Sequence, residues 1–158
     1  MKRRAILLME TMAAALLVAG GVALAETFTC DAFPPCYGTP ERDDIYGTPN
    51  GETIYAYGGN DSVYADAGND TVYGSSGNDD LTGEGGSDKL YGGGGEDELY
   101  PDFLDSAGSL DYSYGQGGND DIYAADGEED IINCGKGSDR VWYDVGLDTV
   151  KACEIKNL

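Results

Sequence analysis

Eleven carboxylates stand two residues ahead of an aliphatic side chain at a nearly constant interval. Asp43, Glu52, Asp61, Asp70, Asp79, Asp88, Asp97, Asp120, Glu129, Asp139 and Asp148 precede Ile45, Ile54, Val63, Val72, Leu81, Leu90, Leu99, Ile122, Ile131, Val141 and Val150. The interval is nine residues, with one of ten between Ile131 and Val141 and a gap of 23 between Leu99 and Ile122. Two residues ahead of the carboxylate stands glycine in most copies, as Gly59, Gly68, Gly77, Gly86, Gly95, Gly118, Gly127, Gly137 and Gly146. A lone close pair of carboxylates suits acid–base work of the kind used in glycoside hydrolysis, whereas a long row of them suits hard cations, which prefer oxygen ligands.

The unit that must position these groups is G-x-[DE]-x-U, where U is aliphatic, and a fixed period of this kind marks a stacked repeat. Three residues around each aliphatic make a short strand, and six Gly- and Asx-rich residues make a turn. With the aliphatics pointing between two sheets, residues 18 apart become neighbours at about 4.8 Å. Asp43, Asp61, Asp79 and Asp97 then line one edge, and Glu52, Asp70 and Asp88 the other. Bare carboxylates so close repel, and a divalent cation between them, completed by turn carbonyls, turns repulsion into adhesion. The expected sites are the pairs 43/61, 61/79, 79/97, 52/70 and 70/88, with weaker ones at 120/139 and 129/148. A disordered acidic linker is the competing reading of such a composition, but a linker does not place Val, Leu or Ile at every ninth residue.

Segments such as Gly68-Asn69-Asp70-Thr71-Val72 and Gly92-Gly93-Gly94-Gly95-Glu96-Asp97-Glu98-Leu99 resemble the RTX, or haemolysin-type, calcium-binding nonapeptide GGxGxDxUx. The resemblance spans most of residues 42 to 153. It implies an all-β fold, a right-handed parallel β-roll (a β-solenoid) with two nonapeptides per turn and several Ca2+ ions held between turn loops. The leading glycine pair, which would contribute backbone carbonyls, is complete only from Gly92; other copies read Ala65-Asp66 or Gly74-Ser75.

Composition agrees. Residues 1–25 start with Met1-Lys2-Arg3-Arg4, continue through an apolar stretch and end in Ala23-Leu24-Ala25, the pattern of a cleaved export signal. The apolar stretch, split by Glu10, is short for a membrane span of ~20 residues. Cleavage leaves 133 residues with 6 basic and 29 acidic side chains, a net charge of −23. Such a chain repels nucleic acid and anionic membranes, and its self-repulsion opposes compaction unless counter-ions are built in. The absence of histidine removes Ser-His-Asp triads and HExxH metalloprotease chemistry, and no enzymatic activity is expected.

Residues 26–41 form an N-terminal disulfide cap in this reading, 42–100 the calcium roll, 101–117 an interruption and 118–158 the continued roll with a C-terminal disulfide cap. Cys30 and Cys36 enclose Pro34-Pro35, and Cys134 and Cys153 stand in equivalent places one turn apart. The expected bridges are Cys30–Cys36 and Cys134–Cys153, among the three pairings that four cysteines permit. The interruption, with Phe103, Leu104, Tyr112 and Tyr114, is either a partner-binding loop or, preferably, a degenerate turn packing its own aromatics. Tyr46, Tyr55, Tyr64, Tyr73, Tyr91, Tyr100, Tyr123 and Trp142 follow the aliphatics and face outward, as stiffening ladders or as a carbohydrate or cell-wall platform. The expectation is a secreted or cell-surface monomer with a structural or adhesive role. An accessory or toxin-related exoprotein is the alternative, weakened because signal, caps and repeats use up the chain.

Overall fold

The computed structural model describes residues 25–30, 35–102 and 109–157. The export-signal reading and the calls on Phe103 and Leu104 fall outside these residues. Fifteen short strands follow one another in the described residues: β1 (Glu26–Thr29), β2 (Cys36–Tyr37), β3 (Asp43–Tyr46), β4 (Thr53–Tyr55), β5 (Ser62–Tyr64), β6 (Thr71–Ser76), β7 (Asp80–Thr82), β8 (Lys89–Gly95), β9 (Glu98–Tyr100), β10 (Tyr112–Gly118), β11 (Asp121–Ala124), β12 (Ile131–Lys136), β13 (Arg140–Tyr143), β14 (Thr149–Lys151) and β15 (Ile155–Asn157). Odd-numbered strands form one parallel sheet, in order β1 to β15, and even-numbered strands form the other, in order β14 to β2. Each strand therefore pairs with the one two places on, which is the winding of a parallel β-solenoid. The register is 18 residues where the nonapeptide is regular, as in Ile45↔Val63 and Val72↔Leu90.

The core between the sheets is one side chain wide. Ile45, Ile54, Val63, Val72, Leu81, Leu90, Leu99, Ile122, Ile132 and Val141 are fully buried, and a second inward column holds mostly small residues, among them Ala56, Ala65, Ala124 and Cys134, with Tyr143 beside Ala124 at its end. Strand alternation sends the next residue outward. Tyr37, Tyr55, Tyr73, Tyr91 and Tyr114 stack along the even sheet, and Tyr46 with Tyr64, then Tyr100, Tyr123 and Trp142, along the odd one, with neighbouring ring centroids 4.4–5.6 Å apart. Tyr37 and Tyr114 extend the ladder expected from sequence, and Thr82 breaks it between Tyr64 and Tyr100.

Three sequence expectations change. The buried aliphatic of β12 is Ile132, paired with Ser113 and Val150, while Ile131 faces outward beside Tyr112 and Thr149. The ten-residue repeat thus lies between Ile122 and Ile132. Residues 112–117, assigned to the interruption, belong to strand β10, in register with β8 and β12. Buried Ser113 stands where an aliphatic was sought, so the interruption shrinks to an insertion after β9. Finally, the N-terminal cap is itself part of the winding, with Phe28 opposite Ile45 and Cys36 opposite Ile54. The cysteines pair as Cys30–Cys36 and Cys134–Cys153, with Cα atoms 5.4 and 5.1 Å apart; the second bridge forms although Cys134 is two residues after its aliphatic, Ile132, and Cys153 three after Val150.

The corrected register has a direct test. Ile132→Ala opens a cavity in a core with no spare width and is expected to cost about 2–5 kcal/mol. Ile131→Ala, on the outer face, is expected to cost under about 1 kcal/mol. Urea denaturation of the two variants in saturating calcium checks this, and equal losses would contradict the register.

Candidate metal centre

The carboxylates gather in two columns at the edges of the core, where turn gives way to strand. The edge entered from the odd sheet, called here the Asp70 edge, carries Glu52, Asp70, Asp88, Asp111, Asp130 and Asp148. The opposite, Asp79 edge carries Asp43, Asp61, Asp79, Asp97, Asp120 and Asp139. Along both edges each residue donates its backbone N–H to a carboxylate oxygen one turn ahead, at 2.5–3.1 Å. Asp139 closes the series by donating to Glu154 Oε2.

This places the predicted ligands and corrects one of them. Asp43, Glu52, Asp61, Asp70, Asp79, Asp88, Asp97, Asp120 and Asp139 lie in the columns and are buried, and Asp148 is half-buried at the end of its column. Glu129 does not join them. It is exposed, and Asp130, 1% exposed, takes its place because the extra residue of the ten-residue repeat precedes the strand. Asp111 was missed altogether. Its signal in the sequence was the nine-residue step from Asp111 to Asp120, hidden because Ser113 broke the aliphatic column.

In eight of the column carboxylates one oxygen ties the turns together and the other is free for a ligand. In Asp61, Asp70, Asp79, Asp88, Asp97, Asp120, Asp130 and Asp139 the Oδ2 atom is buried and has no hydrogen-bond partner. A buried carboxylate oxygen without a donor is costly, and a cation removes that cost. Backbone oxygens converge on the same points. The space left by the absent Cβ of Gly74 lies 2.4 Å from Asp79 Oδ2 and 2.6 Å from the Gly92 carbonyl oxygen. At Gly83 the neighbours are Asp88 Oδ2 at 2.5 Å and the Pro101 carbonyl at 2.3 Å, and at Gly115 they are Asp120 Oδ2 at 2.3 Å and the Cys134 carbonyl at 2.4 Å. At these three positions a Cβ would fall against the carboxylate and carbonyl oxygens, a space that glycine leaves open. Of the predicted turn glycines, Gly59, Gly68, Gly77, Gly86 and Gly95 all have positive φ. At Gly77, Gly86 and Gly95 a Cβ would fall within 1.4–1.7 Å of a carbonyl oxygen of the preceding turn. These glycines let the turns approach and hold the loop shape.

Among the described residues no three His, Cys, Asp or Glu side chains are arranged to hold a metal by themselves. The donor set offered is carboxylate plus backbone carbonyl, all hard oxygen, which fits Ca2+ and suits neither zinc nor copper. Three column members are already satisfied. Thr39 donates its N–H to Asp43 Oδ2 at 2.6 Å and its hydroxyl to both carboxylate oxygens. Thr48 donates its N–H to Glu52 Oε2 at 3.0 Å and its hydroxyl to Oε1. Asp148 accepts from the Asp130 and Asp144 amides.

The electrostatics follow from burial and crowding. Desolvation, reinforced by neighbouring carboxylates, raises Asp61, Asp70, Asp88 and Asp97 from the usual 3.8 to about 7, and Asp130 to about 8. Asp111 and Asp120 rise to about 6, again chiefly through desolvation.

The RTX calcium-binding nonapeptide repeat model (four copies) matches residues 37–72, 46–81 and 73–103. No match was found among curated proteins or among solved structures. The matched stretch includes the cradles at Gly74 and Gly83.

The raised pKa values set the sign of a pH effect. In chelator, the folded chain binds protons more tightly than the unfolded chain, so this stability is complete below about pH 3.8 and is lost as pH rises through about 7. Calcium competes with those protons and must bind more tightly at pH 8 than at pH 6. Thermal melts in chelator are expected to show higher stability at pH 5 than at pH 8, and melts in calcium the reverse. A calcium-loaded protein whose stability does not rise between pH 6 and 8 would contradict the assignment of these carboxylates as ligands.

Proposed function

For this RTX-type repeat protein, whose β-roll binds calcium through its repeats, we propose that several ions load along both edges, that loading completes folding, and that the product is an exported structural or adhesive element. The observation that carries this reading is the row of buried, unpartnered Oδ2 atoms repeated at successive turns. With a core one side chain wide and a chain at −21, the carboxylates would drive the turns apart. A divalent ion shared between carboxylate and carbonyl oxygens neutralises them where the turns meet.

Export is supported by the signal-like residues 1–25 and by two disulfides, which persist in oxidising compartments. The cysteine bridges lie near the two ends of the roll formed by the described residues. A carbohydrate platform on the tyrosine ladders is less favoured. The rings lie nearly parallel, 2–18° apart, and within each ladder the facing sides of neighbouring rings cover one another. Edges and hydroxyls remain for solvent, an arrangement that stiffens the sheets rather than offering flat faces to a sugar. From Asp61 onward the column carboxylates serve as turn ties, a structural use that argues against acid–base catalysis.

Far-UV circular dichroism of the disulfide-intact protein, titrated with calcium and then with chelator, tests the reading. The expected result is a cooperative and reversible gain of β signal at calcium concentrations where magnesium has no effect. An unchanged spectrum together with no detectable calcium binding would overturn it.

A further inference from the structure

The two edges of the roll are not equivalent. On the Asp70 edge a second acidic residue follows the inward aliphatic by three positions in successive turns: Asp66 after Val63, Glu84 after Leu81, Asp102 after Leu99 and Asp144 after Val141. In the ten-residue repeat it is Asp126, four positions after Ile122. The corresponding positions of the Asp79 edge are Tyr57, Ser75, Gly93, Gln116 and Gly135, which the strand register places in one row from Ser75 to Gly135. None of these five carries charge.

The extra carboxylates lie within electrostatic reach of the buried column. The charge of Asp66 raises the pKa of Asp70, that of Asp102 raises Asp88 and Asp111, and that of Asp126 raises Asp111, Asp130 and Asp148. Asp66 and Glu84 hold φ at 71° and 72°, in the left-handed region that favours glycine. Beside them, Asp70, Asp88 and Asp130 are at most 1% exposed with Oδ2 unpartnered. In the ten-residue repeat the Asp126 Oδ2 is also buried without a partner, and Asp144 holds that turn by accepting from the Gly127 N–H at 2.7 Å. This turn thus carries two carboxylate oxygens that are buried without a hydrogen-bond partner, on Asp126 and Asp130.

Resting on the calcium reading above, we propose that the roll has two classes of calcium site: an Asp70 edge with two carboxylates per turn that loads first, strongest at Asp126 and Asp130, and an Asp79 edge with one that loads later. Calcium affinity in oxygen sites is set by the number of charged ligands and by rigidity. The Asp79 edge relies more on backbone carbonyls. At low calcium, ions therefore zip one edge of the roll, and the other closes as calcium rises.

Equilibrium calcium binding to the disulfide-intact protein, measured against a chromophoric chelator at fixed ionic strength, tests this. The protein is expected to show two classes of site separated by about tenfold or more. The pair Asp66→Asn with Asp126→Asn should weaken the tighter class by about tenfold while circular dichroism at saturating calcium stays native. The pair Asp80→Asn with Glu98→Gln removes the same charge from the outer face of the odd sheet and should shift neither class by more than about twofold. If the first pair does not fold, Asp126→Asn alone should still weaken the tighter class. A single class of site, or equal effects of the two pairs, would overturn the two-edge assignment while leaving calcium binding intact. No calcium binding by the unaltered protein would overturn the calcium reading, and this inference with it.

Discussion

Through the middle of the roll, successive turns are joined by carboxylates with two different duties. One oxygen accepts the amide of the residue 18 or so positions before it, and so sets the stacking of the turns. The other is buried with nothing to bond. The same side chains are thus both the mortar of the solenoid and its largest unpaid electrostatic cost, and a hard cation at the free oxygen reconciles the two. The other features follow from this constraint. Positive-φ glycines let turns pack closely, small residues in the second inward column leave room beside the acids, and the outer aromatic ladders stiffen sheets that have little core beneath them.

The ends show the same constraint solved by other means. In the first turns Thr39 and Thr48 supply the hydrogen-bond donors that Asp43 and Glu52 would otherwise lack. Both turns share the sequence Gly-Thr-Pro, as Gly38-Thr39-Pro40 and Gly47-Thr48-Pro49. Disulfides then lie near both ends of the roll formed by the described residues. The roll is accordingly graded along its length: its acids are closed by threonine donors at the start and keep unpartnered buried oxygens through the middle.

Much of this was legible in the sequence. A nine-residue period with an aliphatic and an acid at fixed phase determines strand, turn, inward face and edge at once, and the side-chain alternation of strands then places the tyrosines outside. Legibility failed where one member of the pattern was replaced. Ser113 concealed a full repeat because the search relied on aliphatics, and Asp111 was lost with it. Two adjacent isoleucines, Ile131 and Ile132, and two adjacent acids, Glu129 and Asp130, offered two phases of equal quality, and a strand shifted by one residue exchanges its faces. Only the pairing with β10 and β14 decides between them. The closure of Asp43 and Glu52 by threonine was likewise unreadable from spacing alone, since it depends on where a hydroxyl falls within a turn.

The central claim is that the free oxygens of the two columns are calcium ligands. Crystals of the calcium-loaded protein, with anomalous scattering used to locate the ions, test it most directly. The account predicts ions strung along the edges, in contact with Oδ2 of Asp79, Asp88, Asp97, Asp120 and Asp130 and with carbonyl oxygens of the adjoining turns. Ions confined to the outer sheet faces, with these oxygens uncoordinated, would contradict it.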